Sequence, residues 1–178
     1  MNLTKHRLFL LFTVVALTAA VSPTFAQKVS PAAKTEVTLA GKAISIDYSR
    51  PYMKGRKIMG NLVPYGRVWR TGADDATALK TPVNLEIGGV RVPAGNYTIY
   101  TLPSEGTWKL IINKQTGQWG TEYDEKRDLA RVDLKKSALD QPLEQFTIEF
   151  VKKNEKSADL ILEWESTKLS VPVRVTPE

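Results

Sequence analysis

Between positions 50 and 70 the chain carries Arg50, Lys54, Arg56, Lys57, Arg67 and Arg70 without a single carboxylate, and Tyr52, Tyr65 and Trp69 are interleaved with them. Six cations beside flat apolar rings can hold an anion electrostatically while stacking on a ring or sugar face. A second set lies further on, where Asn113 leads into Gly117-Gln118-Trp119-Gly120 and then Glu122, Tyr123, Asp124, Glu125 and Asp128. Aromatic rings next to amides, carboxylates and guanidinium groups suit carbohydrate, because the ring takes the apolar face and the polar groups take hydroxyls. The ligand-binding residues nominated from the irregular segments that hold these sets, Ser49 to Thr77 and Asn113 to Asp128, are Arg50, Lys54, Arg56, Trp69, Arg70, Asp75, Asn113, Trp119 and Tyr123. The competing expectation is a solvated charged loop, with Arg56 and Arg70 paired to carboxylates such as Asp74 and Asp75.

Several chemistries are closed to the chain by composition. It has no Cys, and its one His is His6. Without that residue it can run neither a Ser-His-Asp nor a Cys-His mechanism, and it cannot hold zinc, copper or haem through imidazole or thiolate. No cofactor is expected. Calcium needs six to eight oxygens in a defined ligand order, whereas Asp124-Glu125-Lys126-Arg127-Asp128 interposes two cations. A glycosidase needs two facing carboxyls; Asp47, Asp75 and Glu122 are possible members, and nothing in the sequence selects among them.

The N-terminus reads as a secretory leader. Lys5, His6 and Arg7 precede an uncharged run from Leu8 to Ala26 that ends in Thr24-Phe25-Ala26, which places cleavage before Gln27. A membrane anchor needs about 20 consecutive apolar residues, and the run breaks at Ser22-Pro23. The 178 residues less the first 26 leave 152, and loss of Lys5 and Arg7 from the 25 cations leaves 23 against 19 carboxylates, a net +4. Because the window 50–70 alone carries +6, the rest of that mature chain carries −2. The expected location is periplasmic or extracellular, with no transmembrane anchor after cleavage. Export argues against nucleic acid as the partner of the basic segment and for a glycan or an anionic envelope polymer; no protein partner is indicated.

Strands must position these groups. Phe146, Ile148 and Phe150 alternate with polar residues, as do Leu160, Leu162 and Trp164, and then Leu169, Val171, Val173 and Val175. Alternation of period two puts every second side chain on a buried face, so these runs read as three closing strands. Val37 and Leu39 lead through Ala40-Gly41-Lys42 into Ile44, Ile46 and Tyr48, a hairpin. A second hairpin turns at Gly88-Gly89, where both residues need a positive φ. Pro93-Ala94-Gly95-Asn96 and Pro103 to Gly106 turn the chain again around Tyr97 to Leu102 and into Trp108, Leu110 and Ile112. Trp108 and Trp164 fall on apolar faces and are expected in the core. The segment Asp124 to Ala138 is the one helix candidate, and it suits a strand as well. The expectation is all-β: a single antiparallel β-sandwich of about nine to ten strands with two long irregular loops, spanning residues 34–176 after a loose arm at 27–33.

Ser49-Arg50-Pro51, Lys54-Gly55-Arg56, the run Leu62-Val63-Pro64-Tyr65-Gly66-Arg67-Val68-Trp69-Arg70-Thr71-Gly72-Ala73, then Pro93-Ala94-Gly95-Asn96-Tyr97 and Asn113 with Gln118-Trp119-Gly120 form a connected set of motifs. Together they resemble the bacterial family known as domain of unknown function 2911, from about Ser30 to Val175. The resemblance implies an exported, mostly β protein and implies no activity. The family pattern usually reads Asn-Glu-Ala-Thr after Gly72-Ala73, whereas here Asp74-Asp75-Ala76-Thr77 follows. A carboxylate shortened by one methylene at Asp75 weakens a catalytic role there.

Three functions are compatible with these residues. A non-catalytic envelope binding module requires the nominated residues to converge on one face. A structural or protein-interaction domain requires buried Trp69 and Trp119 with Arg56 and Arg70 paired internally. A carboxylate-dependent hydrolase requires a cleft with two facing carboxyls. Binding is ranked first, the structural role second and hydrolysis third.

Overall fold

The computed structural model describes residues 30–177; the expected leader at 1–26 and residues 27–29 of the expected arm lie outside the described residues. Nine strands follow in order: β1 (Ala32–Leu39), β2 (Lys42–Ser49), β3 (Ala78–Thr81), β4 (Leu85–Ile87), β5 (Val90–Val92), β6 (Gly95–Leu102), β7 (Trp108–Asn113), β8 (Asp128–Asn154) and β9 (Ser157–Val175). All neighbouring strands pair antiparallel, in the order β1-β2-β3-β6-β7-β8-β9-β4-β5. The fold is all-β, as the alternating pattern requires. The first strand begins at Ala32, inside the stretch read as an arm, because Ala32 and Ala33 pair with Ser49 and Tyr48.

Two hairpins turn where their residue types demand. Leu39 pairs with Lys42 and Ile87 with Val90, so each loop has two residues. Ala40 and Gly41 stand at φ 50° and 73°, and Gly88 and Gly89 at 58° and 85°. Consecutive positive φ angles match the right-handed twist of the flanking strands.

Two strands, in place of the three expected, close the chain. Leu160, Leu162 and Trp164 are buried at even positions, and Leu169, Val171 and Val173 at odd ones, yet all belong to β9. The switch is made at Glu165, whose φ of 53° marks an irregularity in which one extra residue flips the side-chain parity. Register shifts interrupt the β8–β9 ladder near Leu143, opposite Glu165. The helix candidate resolves into a short 3-10 turn at Glu125–Arg127 followed by β8.

Strand β8 runs for 27 residues, far beyond the usual strand length of about 5 or 6. Its first part pairs with β7 and the remainder with β9, so it passes from one half of the sheet to the other. Its distal part also meets the end of β2. Phe146 N–H donates to Pro51 O at 2.9 Å, Met53 N–H to Glu144 O at 2.8 Å, and Tyr48 Oη accepts from Ile148 N–H at 2.9 Å. The curled sheet thereby encloses one apolar cluster that includes Ile46, Ile99, Leu110, Ile148 and Leu162, with Trp108 and Trp164 both buried. The two long connections, 50–77 after β2 and 114–127 after β7, lie outside the regular ladders.

Candidate functional site

The two irregular segments meet. Asp75 and Trp119 form an isolated antiparallel bridge, Ala76 N–H donates to Gln118 O at 3.3 Å, and Gly120 N–H donates to Asp74 O at 3.0 Å. Gly120 is required at this contact. A Cβ there would come within 2.5 Å of Asp74 O and 2.7 Å of Arg70 Cδ.

Between the segments lies a cleft of about 500 Å³, within the range of small-ligand sites. Its apolar wall includes Leu62, Pro64, Val68 and Trp69, with Trp164 behind and Tyr100 and Tyr123 across. Trp69 stacks on Trp164 with ring centroids 5.8 Å apart and planes at 19°, and meets Phe146 edge-on at 5.0 Å. Its backbone is fixed by reciprocal hydrogen bonds with Thr101, at 2.8 and 3.0 Å. Trp69 is therefore neither a free platform nor a wholly buried core residue; its half-buried ring forms part of the wall.

The polar residues lining the cleft include Ser30, Arg56, Arg70, Asp74, Thr121 and the two tyrosines. Arg56 donates from Nε to Met53 O at 2.9 Å and from Nη2 to Tyr52 O at 2.7 Å. Both bonds brace the guanidinium against its own loop without neutralising it. Arg70 has one long hydrogen bond, from Nε to Gly72 O at 3.4 Å. Neither arginine forms an ion pair among the described residues, so the expected pairing with Asp74 or Asp75 is absent there.

The segment between Arg70 and Thr77 is held in unusual backbone conformations. Thr71, Gly72 and Asp74 have φ of 54°, 154° and 59°. A β-branched residue at positive φ is a true outlier, sustained only when its surroundings over-determine it. They do so here: Thr71 Oγ1 lies 3.2 Å from both Trp69 O and Thr101 Oγ1, and Thr77 Oγ1 donates to Thr71 O at 2.8 Å. At Gly72 a Cβ would stand 3.0 Å from Ser49 O and from Thr77 Oγ1.

Of the nominated residues, Arg56, Trp69, Arg70 and Tyr123 line this cleft. The others do not. Arg50 is consumed internally, donating from Nε to Phe146 O at 3.0 Å and from Nη2 to Thr147 Oγ1 at 2.6 Å, and so straps the end of β2 to β8. Lys54 is exposed at φ 49°, with its N–H on Glu144 Oε1 at 2.8 Å. Asn113 is fully buried; Nδ2 donates to Asp124 O and Asp128 Oδ1, each at 2.9 Å, and Oδ1 accepts from Gln115 N–H at 2.8 Å. Asp75 lines a separate hollow with Asp47 and Lys34. Trp119 is 45% exposed and is not among the residues that line the cleft.

Tyr123 belongs to a rigid network. Its hydroxyl donates to Asp128 Oδ2 at 2.7 Å and accepts from Arg131 Nη2 at 2.8 Å, while Arg131 also reaches Glu125 at 2.7 Å. Burial first, and then the Asp128 carboxylate, hold this phenol well above its ordinary range. Burial likewise raises Tyr100, whose hydroxyl donates to Glu122 O at 3.0 Å and accepts from Gln118 Nε2 at 2.9 Å. Tyr100 and Tyr123 meet edge to face at 4.9 Å. The acidic run is thus spent on capping and ion pairing: Asp124 Oδ1 caps the 3-10 turn, and Asp128 serves Asn113, Tyr123 and Arg131.

Sequence reasoning missed Asp74, Tyr100 and Thr121. Asp74 gives no signal that separates it from Asp75. Tyr100 reads as one more β-strand aromatic, and Thr121 as a turn residue. Among the described residues no three carboxylates are grouped so as to hold a metal ion. No curated protein and no solved structure matches the chain. A family model does match it over residues 30–173, and the chain belongs to that family, Protein of unknown function (DUF2911).

Proposed function

We propose that this protein is an exported, non-catalytic binding module of the cell envelope, whose cleft between the two irregular segments holds a glycan or another anionic polymer. The observation that carries this reading is Arg70. It lines an aromatic-walled cleft that Arg56 also lines, and among the described residues neither has a carboxylate partner. A guanidinium in a partly dehydrated cleft attracts an external anion more strongly than one in bulk water.

Two further features support binding over the alternatives. A structural role for the shared positions accounts for Arg50 and Asn113, which are satisfied internally, but not for Arg70 or the 45% exposed Trp119. A glycosidase requires two carboxyls across the scissile bond, and Asp74 is the one carboxylate among the residues lining the cleft.

Thermal-shift assays test the reading. Mature protein from Gln27 is melted with anionic polysaccharides, neutral glycans and cell-wall fragments. A ligand at 100 times its dissociation constant adds about 2.7 kcal/mol. The expected result is a shift with an anionic class that Arg70→Gln abolishes; equal shifts with neutral glycans, or none with any ligand, would contradict it.

A further inference from the structure

Arg56 and Arg70 line the cleft, but the connection that carries them bears further cations outside it. Lys54, Lys57 and Arg67 are exposed, and none of the three forms an ion pair among the described residues. Elsewhere Lys80, Lys109, Arg131, Lys168 and Arg174 each pair with a carboxylate. Two carboxylates do reach the basic connection, but they bond its backbone. Glu144 Oε1 accepts from Lys54 N–H at 2.8 Å, and Glu165 accepts from the N–H groups of Ile58 and Met59 at 2.9 and 3.2 Å. They offset part of the charge and hold the segment in shape, and they leave its side-chain cations to an external anion. These cations continue from the cleft wall: Lys57 follows Arg56 and Arg67 precedes Val68, and both of those neighbours line the cleft.

We infer that Lys54, Lys57 and Arg67 form a rim subsite that grips successive acidic units of a chain whose first bound unit sits in the cleft, so that the ligand is a linear acidic polysaccharide. This rests on the binding reading above and narrows its ligand class. A single acid fills the cleft and leaves the rim to counterions. One exposed ion pair is worth little, so the rim acts only when several linked charges meet it at once, each added contact being made within an already bound chain. A planar lipid surface fits less well. The segment's one exposed large apolar side chain is Leu62, whereas a membrane-surface element presents a broad apolar face, and a bilayer does not enter an aromatic-walled cleft.

Calorimetric titration of protein beginning at Gln27 with a dimer, a tetramer and an octamer of galacturonate tests the rim. The informative variant combines Lys54→Gln, Lys57→Gln and Arg67→Gln, all at exposed positions, so its melting temperature should match the wild type. It should weaken the octamer by about tenfold at low salt and leave the dimer unchanged. Arg70→Gln should weaken every length. The wild type gives a second reading that needs no variant: octamer affinity should fall more steeply with salt than dimer affinity, because more charge contacts are screened. The same octamer-to-dimer ratio in wild type and triple variant, with equal salt slopes for the two lengths, would overturn the rim subsite and leave the cleft reading standing. No binding of any length would overturn both. Binding of anionic phospholipid vesicles without binding of any oligomer would also overturn both and assign the basic segment to a lipid surface.

Discussion

The segment after β2 and the segment after β7 look alike as sequence, each irregular, polar and aromatic, yet their side chains serve opposite ends. In the second, Asn113, Tyr123, Asp128 and Arg131 satisfy one another, and the network holds the loop rigid against β8. In the first, Arg50 is used in the same way, but Arg56 and Arg70 retain uncompensated charge over an aromatic wall. On the proposed reading, one segment is scaffold and the other presents chemistry, with Gly120 as the point where they are pressed together. A polar residue that is fully bonded reports on stability; one left unpaired in a cleft reports on a ligand.

Substitution should separate these roles, and the largest effect falls on the scaffold. Asn113→Ala orphans Asp124 O, Asp128 Oδ1 and the Gln115 N–H at a fully buried position, and should cost on the order of 3 kcal/mol in denaturant unfolding. A loss below about 0.5 kcal/mol would mean the network is not a support. Gly120→Ala comes next. Its Cβ must displace Asp74 O or Arg70, for about 1 to 3 kcal/mol, and ligand-induced stabilisation should fall with it; an unchanged melting temperature would show that the two segments are not in tight contact.

Tyr123 gives a pH signature. Its folded phenol titrates above the ordinary 10.0, so the unfolded state releases its proton first as pH rises. The stability it contributes is complete below about pH 10 and is lost above it. Stability should therefore begin to fall near pH 10 and keep falling at higher pH, and Tyr123→Phe should flatten that decline while costing about 1 kcal/mol at neutral pH. An identical slope in the variant would assign the effect to Tyr97 and Tyr100, whose phenols burial also raises. Arg70→Gln should do least to the fold, under about 0.5 kcal/mol, because its one hydrogen bond is long.

Local geometry was legible in the sequence wherever it depended on neighbours. Gly88-Gly89 specified a two-residue turn, and Trp108 and Trp164 were placed in the core by their alternating faces. The parity change between Trp164 and Leu169 was also visible, but it was read as two strands because a bulge and a turn leave the same trace in a one-dimensional pattern. Site membership depended on partners distant in the chain. Arg50 and Arg70 cannot be told apart by type or spacing; what separates them is a carbonyl 96 residues away that accepts from one and has no counterpart for the other. Asn113 attracted attention for the right reason, since it is singular in its surroundings, but its hydrogen bonds turn inward. Asp74 was passed over because only the folded chain brings it to the cleft, beside Gly120 of the other segment.

The central claim is that the unpaired arginines of the first segment, and not the network of the second, receive the ligand. Nitrogen-15 NMR of protein beginning at Gln27 reports it directly, since the Arg Nε and Trp Nε1 signals of the two segments can be followed together during titration with an anionic oligosaccharide. The account predicts shifts concentrated at Arg70, Arg56 and the Trp69 indole, with Arg131 and Trp119 almost unmoved. Shifts centred on Trp119 and Arg131, with Arg70 silent, would contradict it.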